Sequence, residues 1–388
     1  MAIPPQVRAM IAQLRQEHRE LENVPDETVA ELILRALAAR EDRGPGENPD
    51  DLDLDRMSAK ECGVHGERLL RTGQWDAAER FLLAQLGKGE QAADLDQQCA
   101  ATLALGRLCL QRGNFPQAGL LYQRALGLAE RLGNRRLVGV IYDDVGTTYA
   151  MQGDYPRATE HYRKGLEIAE QNGDERAMAA GYGNLGIVHR RQGDFEQAIQ
   201  AYERSLELSL KIGAEDLTTN QQVNLGNVFQ IQGRHEQAID MYQRCLEVYL
   251  RLGHQQGAAT IYNNLGDIHA TRGDLDTALH MLQRALEIYQ QIGDEPGLAG
   301  AYGNLGVQYE RKGEVARALE SFSKSIEIAG RVGDRHTSAH QYFNLGTLYS
   351  SLNEHAQARG HLEKAKALFE MVGDAPGAQQ AERALRQL

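Results

Sequence analysis

One short phrase returns every forty residues through most of the 388-residue chain. It reads T-G-Q-W-D-A-A around Gly73, R-G-N-F-P-Q-A around Gly113 and Q-G-D-Y-P-R-A around Gly153. It continues at Gly193, Gly233, Gly273 and Gly313 and ends as L-N-E-H-A-Q-A on Asn353. Eight copies at a fixed spacing predict a quasi-one-dimensional stack, in which each unit buries its apolar face on its neighbours. The expected function therefore moves from catalysis towards binding along an extended surface.

A single repeat carries the local physics. Tyr182, Leu185, Gly186 and His189 are spaced to share one helix face. Gly193 ends that helix, because glycine takes a left-handed cap without strain. Asp194 is placed to cap the next helix. Phe195, Ala198, Tyr202 and Leu206 step by three and four and form its apolar stripe, and Gly213 closes it. Each repeat is thus a helical hairpin with two glycine stops. A third glycine column, Gly66 to Gly346 in steps of forty, lies inside the first helices. Glycine there costs roughly 1 kcal/mol against alanine. The expected reason is close approach of the two helix backbones, supported by an alanine column that runs from Ala78 through Ala198 to Ala358.

The order aromatic, Leu-Gly, aromatic, Gly, Ala, aromatic resembles the tetratricopeptide repeat. It falls on Tyr182, Leu185-Gly186, His189, Gly193, Ala198 and Tyr202, and again on Tyr302, Leu305-Gly306, Tyr309, Gly313, Ala318 and Phe322. The usual period is 34 residues; at forty, the helices are longer. Forty-residue repeats with an N-L-G phrase look most like those of the Pins/LGN spindle-orientation adaptors and, more distantly, kinesin light chain. The resemblance implies an all-α, right-handed superhelical solenoid and a partner peptide held in the concave groove.

The expected organisation is an N-terminal helical hairpin over 1–40, an acidic linker over 41–56, eight repeats over 57–374 and a capping helix over 375–388. Val7, Met10, Ile11 and Leu14 give the first segment its helical spacing, and Val29, Leu32, Ile33 and Leu37 do so for a second helix. That hairpin is either a cap of the array or a separate docking or dimerising element. Net charge is −12, which argues against nucleic acid as the partner. No apolar run approaches the roughly 20 residues of a membrane span, and no signal-peptide core is seen at the N-terminus. Cys62, Cys99, Cys109 and Cys245 form no C-x-x-C pair, so neither a zinc framework nor disulfides are expected, and a cytoplasmic setting fits.

The face of each first helix opposite its packing side is the place for a partner. Two residues before the helix glycine stand Asp144, Asn184, Asn224, Asn264, Asn304 and Asn344. An amide both donates and accepts. The resembled adaptors use asparagines of this slot to bracket an extended main chain; bracing between neighbouring helices is the alternative role. Around this ladder lie Arg190 and Arg191, then Asn220, Asn227 and Gln230, then Asn263, Asp267 and Thr271, with Asp143 and Asp144 as an acidic patch earlier. The arginine pair suits an acidic group. His189 and His269 occupy an aromatic packing slot, and His235 and His355 that of Trp75 and Phe115. No H-E-x-x-H, G-x-S-x-G or phosphate-cradling loop is found. No catalytic residue, metal or cofactor is expected, and the function expected is that of a non-enzymatic adaptor for a protein or peptide. Two readings compete with it. One is a peptide-gated regulator of the bacterial Rap type with residues 1–40 as its output element. The other is a self-assembling repeat protein that associates through its N-terminal segment.

Overall fold

The computed structural model describes residues 52–388. The expected hairpin over 1–40, and residues 41–51 of the linker, lie outside the described residues. Seventeen helices and no strand run through the described residues, an all-α solenoid of helix–turn–helix repeats. None of these helices is long and apolar enough to cross a membrane. The described residues divide into two compact units, one ending at Asn134 and the other Arg135–Leu388.

In the first unit, helix Ala59–Arg71 pairs with Trp75–Gln91, and Leu95–Gln111 with Phe115–Arg131. Ser58 opens the first of these with a capping box: its hydroxyl accepts from the Glu61 amide while the Glu61 carboxylate accepts from the Ser58 amide. The residues just before it, read as solvated linker, behave otherwise. Leu52 and Leu54, with Met57 just past the linker, pack on Leu69, Ala78 and Phe81, because the leucines alternating with aspartates find an apolar face to cover.

The second unit holds six hairpins. Arg135–Met151 pairs with Tyr155–Asn172, Glu175–Gln192 with Phe195–Lys211, and Glu215–Ile231 with His235–Arg251. Gln255–Thr271 pairs with Leu275–Ile292, Glu295–Arg311 with Val315–Val332, and Arg335–Ser351 with His355–Val372. A last helix, Ala375–Arg386, lays Ala378 and Ala381 against Phe369 and Ala339.

The glycine stops are left-handed as expected: φ is +83° at Gly193 and +65° at Gly213. Where the columns lack glycine, Asn353 and Ala93 take the same region at +62° and +51°. Asp194 stands at the N-cap but its side chain accepts no cap bond, whereas Asp174, Asp294 and Asp374 do cap their helices.

Most of the interior glycines have a different reason from the close backbone approach expected. A Cβ on Gly226 would lie 2.6 Å from the Tyr242 ring, and one on Gly106 2.6 Å from that of Tyr122. The glycine makes room for the face of a bulky side chain sixteen residues on. At Gly266 and Gly346 that side chain is Leu282 or Leu362, and there a Cβ would also meet a backbone carbonyl, of Ala278 or Ala358, at 3.2 Å. Tyr122, Tyr202, Tyr242 and Phe322 are fully buried as a result, each burying a large apolar area. The alanine column is fully buried as well.

A further column fastens the helices within a repeat. Ser205 Oγ donates to the Ala179 carbonyl at 2.5 Å, and Ser325 Oγ to that of Ala299 at 2.6 Å. Cys245 takes the same place, its thiol facing the Thr219 carbonyl, and Cys99 makes the reverse contact, from the first helix of its hairpin to the Ala125 carbonyl on the second. All four cysteines are free. Burial raises their thiol pKa values, that of Cys245 to about 12, so they pack as small apolar groups.

Candidate functional site

The slot two residues before the helix glycine is half-buried at Asn184, Asn224, Asn264, Asn304 and Asn344 alike. These side chains are therefore partly covered by their neighbours rather than free at the surface. The residue just before the slot decides what packs beside it. At Gly183 and Gly303 the missing side chain admits a buried glutamine from the next repeat, Gln221 or Gln341. The repeated phrase G-Y-G-N thus pairs with a glutamine thirty-eight residues on, a coupling that the helical period does not announce.

The structure brings three of the expected residues to one place. Asn184, Asn220 and Asn224 line a cleft of about 300 Å³ together with Ile187, Val223 and Tyr249. Its floor is Gly183 with the Gln221 amide. Polar amides on an apolar rim of this kind can hold a peptide main chain while admitting an apolar side chain.

The next expected group joins into a hydrogen-bonded strip. The Tyr242 hydroxyl, pressed between helices, donates to Asn227 Oδ1 at 2.6 Å and lies 3.0 Å from Gln230 Oε1. Gln230 Nε2 donates to Asp267 Oδ2 at 2.5 Å. Burial raises the Tyr242 pKa, and a hydrogen bond with Asn264 opposes that shift. Asn264 therefore serves the tyrosine. Further along, Asn304 Nδ2 donates to Asn263 Oδ1 across repeats at 3.0 Å, and Asn344 Nδ2 to Gln341 Oε1 at 3.1 Å. Part of the ladder braces one repeat on another, and part stands at the open cleft.

Arg190 and Arg191 flank Tyr202, and Arg190 is half-buried while Arg191 is exposed. The acidic patch is not two plain carboxylates. Burial, with the charge of Asp144 adding to it, raises the Asp143 pKa to about 7. Asp143 Oδ1 is buried with no hydrogen-bond partner, against Gly165. The histidines of the packing slots are half-buried at His189, His235 and His269, but His355 is exposed, as Trp75 is at 41%. That slot opens the second helix, where little covers it.

One cluster was missed. His336, His340 and Asp374 bring their ligating atoms within 4.8 Å of one another. A search for H-E-x-x-H passes over it, although the H-x-x-x-H spacing of His336 and His340 is a legible signal.

Comparison with known proteins follows the same lines. The tetratricopeptide-repeat profile matches residues 96–171, 139–211, 175–251, 215–291 and 297–371. No curated protein matches the sequence. Among solved structures, the chain is similar to the STAND protein with a tetratricopeptide repeat sensor, PH0952, from Pyrococcus horikoshii. Identity is 18% and the TM-score 0.66, over 83% of this chain and 50% of that one, so this chain spans half the length of that protein. It is similar to apo RapI at 15% identity and a TM-score of 0.62, over 85% of this chain and 96% of that one. It is also similar to the apo quorum sensor NprR from B. thuringiensis at 16% and 0.62, over 89% and 94%. At these identities the likeness is one of fold.

Proposed function

The chain belongs to the tetratricopeptide-repeat family, and from that premise we propose that it is a non-enzymatic scaffold holding an extended or helical peptide segment along its asparagine-bearing face. The observation that carries this reading is the cleft where Asn184, Asn220 and Asn224 converge from adjacent repeats beside Ile187 and Val223. Amides of this kind suit a main chain and tolerate many side-chain sequences. The likeness of the N-L-G phrase to Pins/LGN-type and kinesin-light-chain adaptors points to the same class of occupant. Four free cysteines, three of them buried, fit a cytoplasmic setting. To test it, a displayed peptide library is panned on the full chain and the recovered peptide is titrated by calorimetry. Binding that is indifferent to loss of the cleft amides sinks the proposal.

A second reading, a peptide-gated regulator of the Rap type, is favoured by coverage. RapI and NprR are matched over almost their whole length. A Rap protein complexed with competence and sporulation factor is matched over 97% of its length, with a TM-score of 0.53. On this reading residues 1–40 are the output element. Hydrogen exchange with the same peptide separates the two: a change within residues 1–50 favours the regulator, and no change there favours the scaffold. Light scattering of the full chain, and of a chain lacking residues 1–50, addresses self-association through that segment.

A further inference from the structure

We infer that His336, His340 and Asp374 form a binding site for a divalent transition metal ion of the zinc type, clamping the last repeat to the final helix.

The two histidines stand one turn apart on helix Arg335–Ser351, so their rings share a face. The rings meet edge-on with centroids 4.6 Å apart, and the His340 ring is set edge-on to Phe369 at 5.0 Å. Asp374 is the N-cap of Ala375–Arg386. Its Oδ1 accepts from the Gly377 amide at 2.9 Å, which fixes the carboxylate and commits only one of its oxygens. The three ligand atoms lie within 4.8 Å of one another. Zinc bonds of about 2.0–2.2 Å need them only modestly closer. Both histidines are exposed, so their side chains can rotate to close that gap.

The other repeats show why this place is different. Thirty-eight residues before a capping aspartate, Arg136 pairs with Asp174 at 2.7 Å, and Gln256 donates to Asp294 at 3.3 Å. In those two repeats the slot reaches the next cap, once with a cation and once with an amide, whereas Asp216 and Pro296 stand there in two others. Only in the eighth repeat is the slot a histidine, with a second histidine one turn on, where the other repeats of this unit carry Val140, Ala180, Asn220, Thr260 and Gly300. Two imidazoles and a carboxylate suit zinc, nickel or copper(II) and not the all-oxygen preference of calcium or magnesium. Three protein ligands leave a fourth position for water.

The test titrates zinc chloride into the full chain by calorimetry and follows hydrogen exchange in residues 375–386. One ion per chain is expected, with exchange in the final helix slowed. His336→Gln, His340→Gln and Asp374→Asn should each weaken binding at least roughly tenfold. Asp374→Asn keeps an acceptor for the cap. Melts without metal show whether each variant folds, and the double variant His336→Gln/His340→Gln, which alters exposed side chains only, decides the matter. Unchanged zinc affinity in that variant, or no saturable binding by the parent chain, overturns the assignment. The histidines would then only donate to the cap aspartate, as Gln256 does.

Discussion

The two compact units build their hairpins by the same rule and decorate them differently. In the first, the slot two residues before the helix glycine holds Val64, which is 61% exposed, and then Ala104, which is buried. In the second it holds Asp144 and then five asparagines, all half-buried. Behind the slot nothing changes: Gly106 gives way to the Tyr122 ring as Gly226 does to Tyr242. The lesson is that the inner contacts are set by the need to seat one bulky side chain per hairpin. The outward slot is free of that need and can carry binding chemistry. A polar ladder confined to one unit is what a directed surface requires.

The largest effect expected falls on the shared part. Gly226→Leu drives a branched side chain into the Tyr242 ring, which should cost about 1–3 kcal/mol or more. Gly106→Leu should cost a similar amount through Tyr122. Thermal melts by circular dichroism measure both. A large loss in one unit and none in the other would break the claim that the two share one packing rule.

The next test uses a difference between the units. Asp143 has its counterpart forty residues earlier in Leu103, which is buried. The folded pKa of Asp143, about 7, lies above the ordinary aspartate value of 3.8. Its contribution to stability is therefore present below about pH 4 and is lost as pH rises through about 7. Around it stand Asp144, Tyr162 and the Arg136–Asp174 ion pair. Asp143→Asn should make melting less sensitive to pH between about 4 and 7 and should raise the melting temperature above that window. Identical pH profiles for the variant and the parent chain would remove the buried-acid account.

A third test sharpens the comparison at the slot itself. Asn184→Ala with Asn224→Ala should weaken a peptide partner by about 1–3 kcal/mol, roughly 5- to 150-fold. Folding should change little, because these two lie outside the Tyr242 network. Asn264→Ala should, by contrast, lower the melting temperature as well, since Asn264 bonds with the Tyr242 hydroxyl. If the double variant melts early and binds normally, the ladder braces the solenoid throughout.

The smallest effect expected is on the surface. Glu215 opens one helix and pairs with Arg251 at the end of its partner, as Glu295 does with Arg331. Arg251→Ala should cost about 0.2–1 kcal/mol, less at high salt. A larger loss would mean that these exposed pairs hold the hairpins closed.

Much of this molecule was legible in the sequence, because a period is a property of the chain. The eight hairpins, their two left-handed stops, the alanine column and the positions of the ladder follow from spacing alone, since helix geometry fixes which residues share a face. Tertiary structure decided what those positions touch. It put a tyrosine ring on Gly226 where helix backbones were expected to meet, and set Gln221 in the space left by Gly183. It buried Asp143 enough to shift its titration and tied Asn304 to Asn263 across a repeat boundary. It also carried Asp374 to a pair of histidines more than thirty residues away in the chain. The reason is the same in each case. Periodicity reports the direction of a side chain from its own helix, whereas burial, charge and ligation depend on which neighbour arrives from the next one.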